Sequence, residues 1–226
     1  SDQQCANSSS TIHLANESVQ GDSGLWGEDA VRFPCPADPD ASPGDDDYAS
    51  EALDSPADEP PFGDCSISAN SGGVIQGAFP ANTVGLPSDV MIDAYGNKFT
   101  YAVSANATDP DALASGTLEG KITVVNANNN LERDDALFVL FSHGSNGGGA
   151  TTREGEDAPV GATTNNEIEN NNDDATFTYS AGQYRGTSQY FDDTLAYSLV
   201  DDEDDEWWFS DDGGQTIYHR NPGNVI

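Results

Sequence analysis

A chain of 226 residues is long enough to bury a sizeable core in one large or two small domains. Forty acidic side chains face seven lysines and arginines, a formal net charge of −33, and such a field repels nucleic acid and anionic membrane surfaces while attracting cations. Nine Phe, eight Tyr and three Trp argue against wholesale disorder, and no stretch approaches the roughly 20 consecutive apolar residues of a membrane span. The acidity has two readings that can hold together: a solvated surface suited to salty water, or carboxylates gathered into hard-cation sites.

In chain order, residues 1–31 are polar and show no helical or strand period. From Pro34 to Asp64 the sequence is turn chemistry, PCPADPDASPGDDDY followed by SPADEPPFGDC, where prolines remove amide donors and restrict their predecessors. The three cysteines, Cys5, Cys35 and Cys65, show no CxxC pair and no nearby His, which argues against zinc or haem. A Cys35–Cys65 disulfide would close this loop, which cannot hold itself together by packing. Cys5 is then free, paired between molecules, or exchanged for one member of that bond.

GVIQGAFP reads as a short strand stopped at Pro80. MIDAYGNKFTYAVS reads as a hairpin whose turn is built from Asp93, Tyr95, Gly96 and Asn97: Gly and Asn tolerate positive φ, the Asp caps turn amides and the aromatic ring covers the turn. KITVVNA and ALFVLFSH are two further strands, the second apolar on both faces and so expected at the sheet centre. Residues 151–174 read as a long polar loop too acidic to pack anywhere dry. TFTYSAG and QYFDDTLAYSLV resume strand character, and after the acid run DDEDDE the cluster Trp207, Trp208 and Phe209, either an exposed interface or the anchor that docks a C-terminal strand, leads into a last hairpin through SDDGGQTIYH.

Three stretches, RFPCPADP (Arg32 to Pro39), GAFPANTVGLPSDVMIDAYGNKFTYAVS (Gly77 to Ser104) and ALFVLFSHGSNGGGA (Ala136 to Ala150), resemble in wording and order the prepilin-type proteins of the type IV pilin and type II secretion pseudopilin superfamily. NNEIENNNDDATF (Asn165 to Phe177) and YFDDTLAY (Tyr190 to Tyr197) resemble the same proteins' acidic loop and closing FDD strand. The resemblance implies a mainly β fold: an antiparallel sheet head with long acidic and Pro/Gly-rich loops and little helix. It divides the chain into a polar segment 1–31, a pilin-like head 32–200 and an acidic, aromatic extension 201–226. Tyr95 stands where the family usually has Trp. The long apolar helix that begins such pilins has no counterpart here, so the helix was trimmed or the subunit assembles differently, and any membrane contact would run through that absent helix.

The resemblance further implies a calcium ion in the loop after the S-x-G-x-x-G strand, with Asn146 at the position of the motif's Asp and Thr152, Glu156 and Asp157 as downstream ligands. A neutral Asn can ligate calcium through its carbonyl but contributes no charge. A second candidate cluster is Glu167, Glu169, Asp173 and Asp174, facing Asp192 and Asp193 across the sheet; neither cluster has EF-hand spacing. Catalytic signatures are lacking: Ser142 and His143 are adjacent strand residues that point to opposite faces, and the three histidines form no HExxH. The expectation is a non-enzymatic structural subunit of an extracellular, bacterial cell-surface filament, partnered by copies of itself or by related subunits. The alternative is a secreted acidic cation-binding or adhesive β-domain that does not polymerise.

Overall fold

The computed structural model describes residues 32–54, 64–109, 112, 119–159, 161, 164–179, 191–200, 207–210 and 217–220, with 199–200, 207–210 and 217–220 by backbone alone. Segment 1–31, including Cys5, and the Gly213–Gly214 turn lie outside the described residues. The fold is mainly β. Its strands are β1 (Val74–Ala78), β2 (Thr100–Ser104), β3 (Ile122–Asn126), β4 (Leu131–Ser142), β5 (Thr176–Tyr179), β6 (Thr194–Val200), β7 (Trp207–Ser210) and β8 (Ile217–Arg220), with one short helix, α1 (Asn165–Glu169), among the described residues.

All strands join one sheet in the order β1-β2-β4-β6-β7-β8, with β3 beside β4 and β5 beside β3. Ala136 pairs with Ile122 of β3 and Leu199 of β6, and Phe138 pairs with Val103 of β2 and Ser198 of β6. A strand has two edges, so β2 and β3 lie end to end along one edge of β4, with β6 on the other. The expectation of a purely antiparallel sheet is corrected at one place: β3 and β5 run parallel, Thr123 opposite Thr176 through Asn126 opposite Tyr179. β7 and β8, read from sequence as an extension beyond the head, continue the head's own sheet through β6.

The apolar run of β4 follows from its central place, since both faces of the sheet are covered. On one face Phe33, Ile75, Phe79, Tyr101, Val103 and Phe138 pack together; on the other, Val74, Ala102, Val139, Phe141, Phe177 and Leu195 do so. From Phe138 to Phe141 neighbours in sequence enter opposite cores, the period-2 rule applied to a strand buried on both sides, whereas Leu137 and Phe138 enter the same one where the β4–β6 register shifts.

The Pro-rich segment lies over the first face. Ala37 and Ala78 exchange two backbone hydrogen bonds of 2.9 Å, and the Phe33 and Phe138 ring centroids are 5.5 Å apart. The Cys35–Cys65 disulfide is present, with an ion pair at 2.9 Å between buried Arg32 and partly buried Glu51. Lys98, 2% exposed, donates from Nζ to the carbonyls of Pro39 and Ala41 at 2.6 Å each, pinning the acidic loop from beneath.

Two local expectations change. The first arm of the Asp93 turn is a 3-10 turn, Ser88–Met91, joined to the second arm by an Ile92–Lys98 bridge. The stretch read as a loop too acidic to pack contains α1, whose Glu167 is fully buried and is followed by buried Asn170. Thr164 caps α1 by accepting from the Glu167 amide while the Glu167 carboxylate accepts from the Thr164 amide, so two orphan donors are met at once.

Candidate functional site

Where β4 ends, the chain turns back through Ser142–Ala150 and meets the Asp93 turn, the acidic stretch at Glu167 and the FDD stretch at Asp192. Ser142 Oγ donates to Asp93 Oδ2 at 2.6 Å and accepts the Gly144 amide at 3.1 Å. Asp93 Oδ1 accepts the amides of Tyr95 and Asn97 at 2.9 Å each, so one buried carboxylate organises its own turn and anchors the end of β4. The Tyr95 ring, expected to cover that turn, is 51% exposed.

His143 is buried with its ring against Phe141, centroids 4.8 Å apart. Its Nδ1 lies 3.1 Å from the Gly148 carbonyl, which can only accept, so Nδ1 carries the proton and the neutral ring's Nε2 accepts from Thr100 Oγ1 at 2.9 Å. Burial holds the imidazole below its ordinary pKa, against the Gly148 bond and the carboxylates of Asp93, Glu167 and Asp192. Ser142 and His143 spend their polar atoms on different partners and do not form a nucleophile and base pair.

Gly144 adopts φ +65°, and a Cβ there would stand 2.4 Å from Asp192 Cγ. That close approach brings Asp192 over the loop, where its Oδ2 accepts the Ser145 amide at 2.6 Å, the Ser145 hydroxyl at 2.8 Å and the Asn146 amide at 3.3 Å. The Asn146 carboxamide is engaged at both ends: Nδ2 donates to Glu167 Oε1 and Oδ1 accepts the Gly148 amide at 3.0 Å. Glu167 Oε2 accepts the Thr164 amide at 3.1 Å.

Asp193 faces a different element from its neighbour. Its Oδ2 accepts from Asn170 Nδ2 at 2.8 Å, and Asn170 also bonds both backbone groups of Thr178, accepting from its amide at 2.6 Å and donating to its carbonyl at 3.1 Å. Asp193 is 5% exposed; burial first, then the charges of Glu167 and Asp192, push its carboxyl up to about 7 against the Asn170 bond. The FDD stretch, expected as a closing strand, precedes β6 and works through its side chains.

The residues of the two expected cation clusters go to three places. Asn146 and Glu167 bond each other. Thr152, Glu156 and Asp157 close a separate turn, in which the Thr152 amide donates to the Glu156 carbonyl at 2.7 Å and Thr151 bridges Asp157. Glu169 shares Asn172 with Asp174 at the far side of α1. Among the described residues no group of three or more His, Cys, Asp or Glu side chains is placed to hold a metal ion, and the donor set at Asn146 is already committed to protein partners. Asp192 and Asp193 were expected to face the Glu167 cluster, and Asp192 does meet Glu167's partner Asn146; Asn170 was not singled out from sequence, although the T-x-x-E of Thr164–Glu167 signals the cap that positions Glu167. Compared with known proteins, the chain matches no family model, no curated protein and no solved structure.

Proposed function

We propose that this chain is the water-facing β-rich head of a pilus-like or pseudopilus filament subunit, working outside the cell in assembly and surface display. The observation that supports it is the meeting of the resembling segments in space. RFPCPADP pairs with GAFP through Ala37 and Ala78, the Asp93 turn bonds the Ser142–Ala150 loop, the acidic stretch reaches that loop through Glu167, and FDD reaches it through Asp192. Segments more than 100 residues apart thus serve one scaffold, and their polar atoms are spent on each other in the manner of a rigid framework. The subunit's partners are copies of itself or related subunits.

Electron microscopy of native material tests this reading: filaments containing the chain are expected, and discrete particles under every assembly condition would overturn it. The net charge of −33 favours a second reading, a secreted acidic β-domain that stays monomeric because copies repel one another. The same micrographs separate the two.

A further inference from the structure

The calcium expected from the resemblance does not fit the residues present, and the disagreement has a physical content. A hard cation in a loop of this kind would gather carboxylates that otherwise repel. Here two buried carboxylates, Glu167 and Asp192, close on Ser145 and Asn146, and protein donors meet them: the Asn146 carboxamide meets Glu167, while the Ser145 amide, the Ser145 hydroxyl and the Asn146 amide meet Asp192. Hydrogen bonds from N–H and O–H groups offset the desolvation of a buried carboxylate.

We propose that the Asn146 carboxamide, with the Ser145 donors, stands in this chain where a divalent cation would otherwise be needed, so that the Ser142–Ala150 loop closes without metal. Asn146 suits the role better than Asp would. Its NH2 is a donor aimed at Glu167 while its oxygen still accepts the Gly148 amide that shapes the turn. An Asp at that place would keep the turn but face Glu167 with a like charge, which a bound cation, or a proton taken up by one of the two carboxyls, would have to offset.

Thermal melting of the wild type, Asn146→Asp and Asn146→Ala, each in calcium and in chelator at matched ionic strength, tests the proposal. The wild type is expected to melt at the same midpoint in both. Asn146→Asp is expected to melt lower in chelator and to recover with calcium, and Asn146→Ala to melt lower in both. A chelator-sensitive wild type whose sensitivity vanishes in Asn146→Ala would overturn the proposal, as would an Asn146→Asp protein no more calcium-responsive than the wild type. A calcium response that Asn146→Ala retains is assigned with Glu167→Gln: if it persists there too, the ion lies elsewhere and the proposal stands, and if it vanishes, the loop binds calcium and the proposal falls. Should Asn146→Asp fail to fold even in calcium, the wild-type and Asn146→Ala arms decide alone. None of these readouts depends on whether the chain polymerises.

Discussion

At the scale of single residues the network makes two predictions whose signs follow from geometry and charge. Gly144 and Gly96 both have positive φ, but a Cβ at Gly144 would strike Asp192 whereas at Gly96 it would meet nothing within 4 Å. Gly96→Ala should cost about 1–2 kcal/mol, the left-handed backbone penalty. Gly144→Ala should cost clearly more, because it also displaces the carboxylate that holds Ser145 and Asn146; urea melts of the two variants check the difference. The pH response separates two buried groups. The folded state depresses His143, so its share of stability is complete above the ordinary histidine value of about 6.5 and is lost as pH falls. The folded state raises Asp193 to about 7, so its share is complete below the ordinary aspartate value of about 4 and is lost as pH rises through 7. Asp193→Asn keeps an acceptor for Asn170 and removes the titration, so its melting temperature should fall less than the wild type's between about pH 5 and pH 8. Parallel curves over that range would mean that Asp193 is ionised throughout.

At the scale of elements, the disulfide and the short helix show what local sequence can and cannot convey. Cys35 and Cys65 are 30 residues apart, and closing a loop of that length is worth roughly 3–4 kcal/mol in the chain-entropy account. A Cys35→Ser, Cys65→Ser double variant should lose about that much stability in urea melts, with the loss centred on the Pro-rich cover rather than on β4. A loss well below 1 kcal/mol would show that Arg32–Glu51 and Lys98 hold the cover without it. The bond was legible because a stretch of Pro, Gly and Asp offers little apolar surface to pack, and the second half of β4 was legible because burial on both faces writes an unbroken apolar run, whereas its exposed first half, Leu131 to Asp135, gave no such signal. The helix α1 was missed because charge was weighed over the whole acidic stretch, whereas its start is written in four residues, Thr164 to Glu167. The parallel β3–β5 pair could not be read at all. Val124 and Phe177 suit any strand partner, and their pairing depends on where the intervening 50 or so residues return the chain.

At the scale of the whole molecule, the charge of −33 decides the solution behaviour in a way no single contact does. Among the described residues two ion pairs involve lysine or arginine, the partly buried Arg32–Glu51 and the exposed Lys121–Glu119, so little favourable surface attraction is available for salt to screen away. Repulsion among exposed carboxylates is what salt reduces. The screening length shrinks from about 10 Å at 0.1 M to about 3 Å at 1 M, below the spacing of most surface charges. The buried hydrogen bonds of Asp93, Glu167, Asp192 and Asp193 are shielded from solvent and change little over the same range. The melting temperature should therefore rise steadily from low salt to about 1 M sodium chloride, and potassium chloride should act alike, since screening does not distinguish the two ions. A rise that saturates well below 0.1 M and differs between the ions would point instead to a specific cation site. The same repulsion opposes the approach of a second head, so a chain that polymerises should do so more readily as salt rises across the same range; light scattering over the same salt series, read beside the melting curve, checks this.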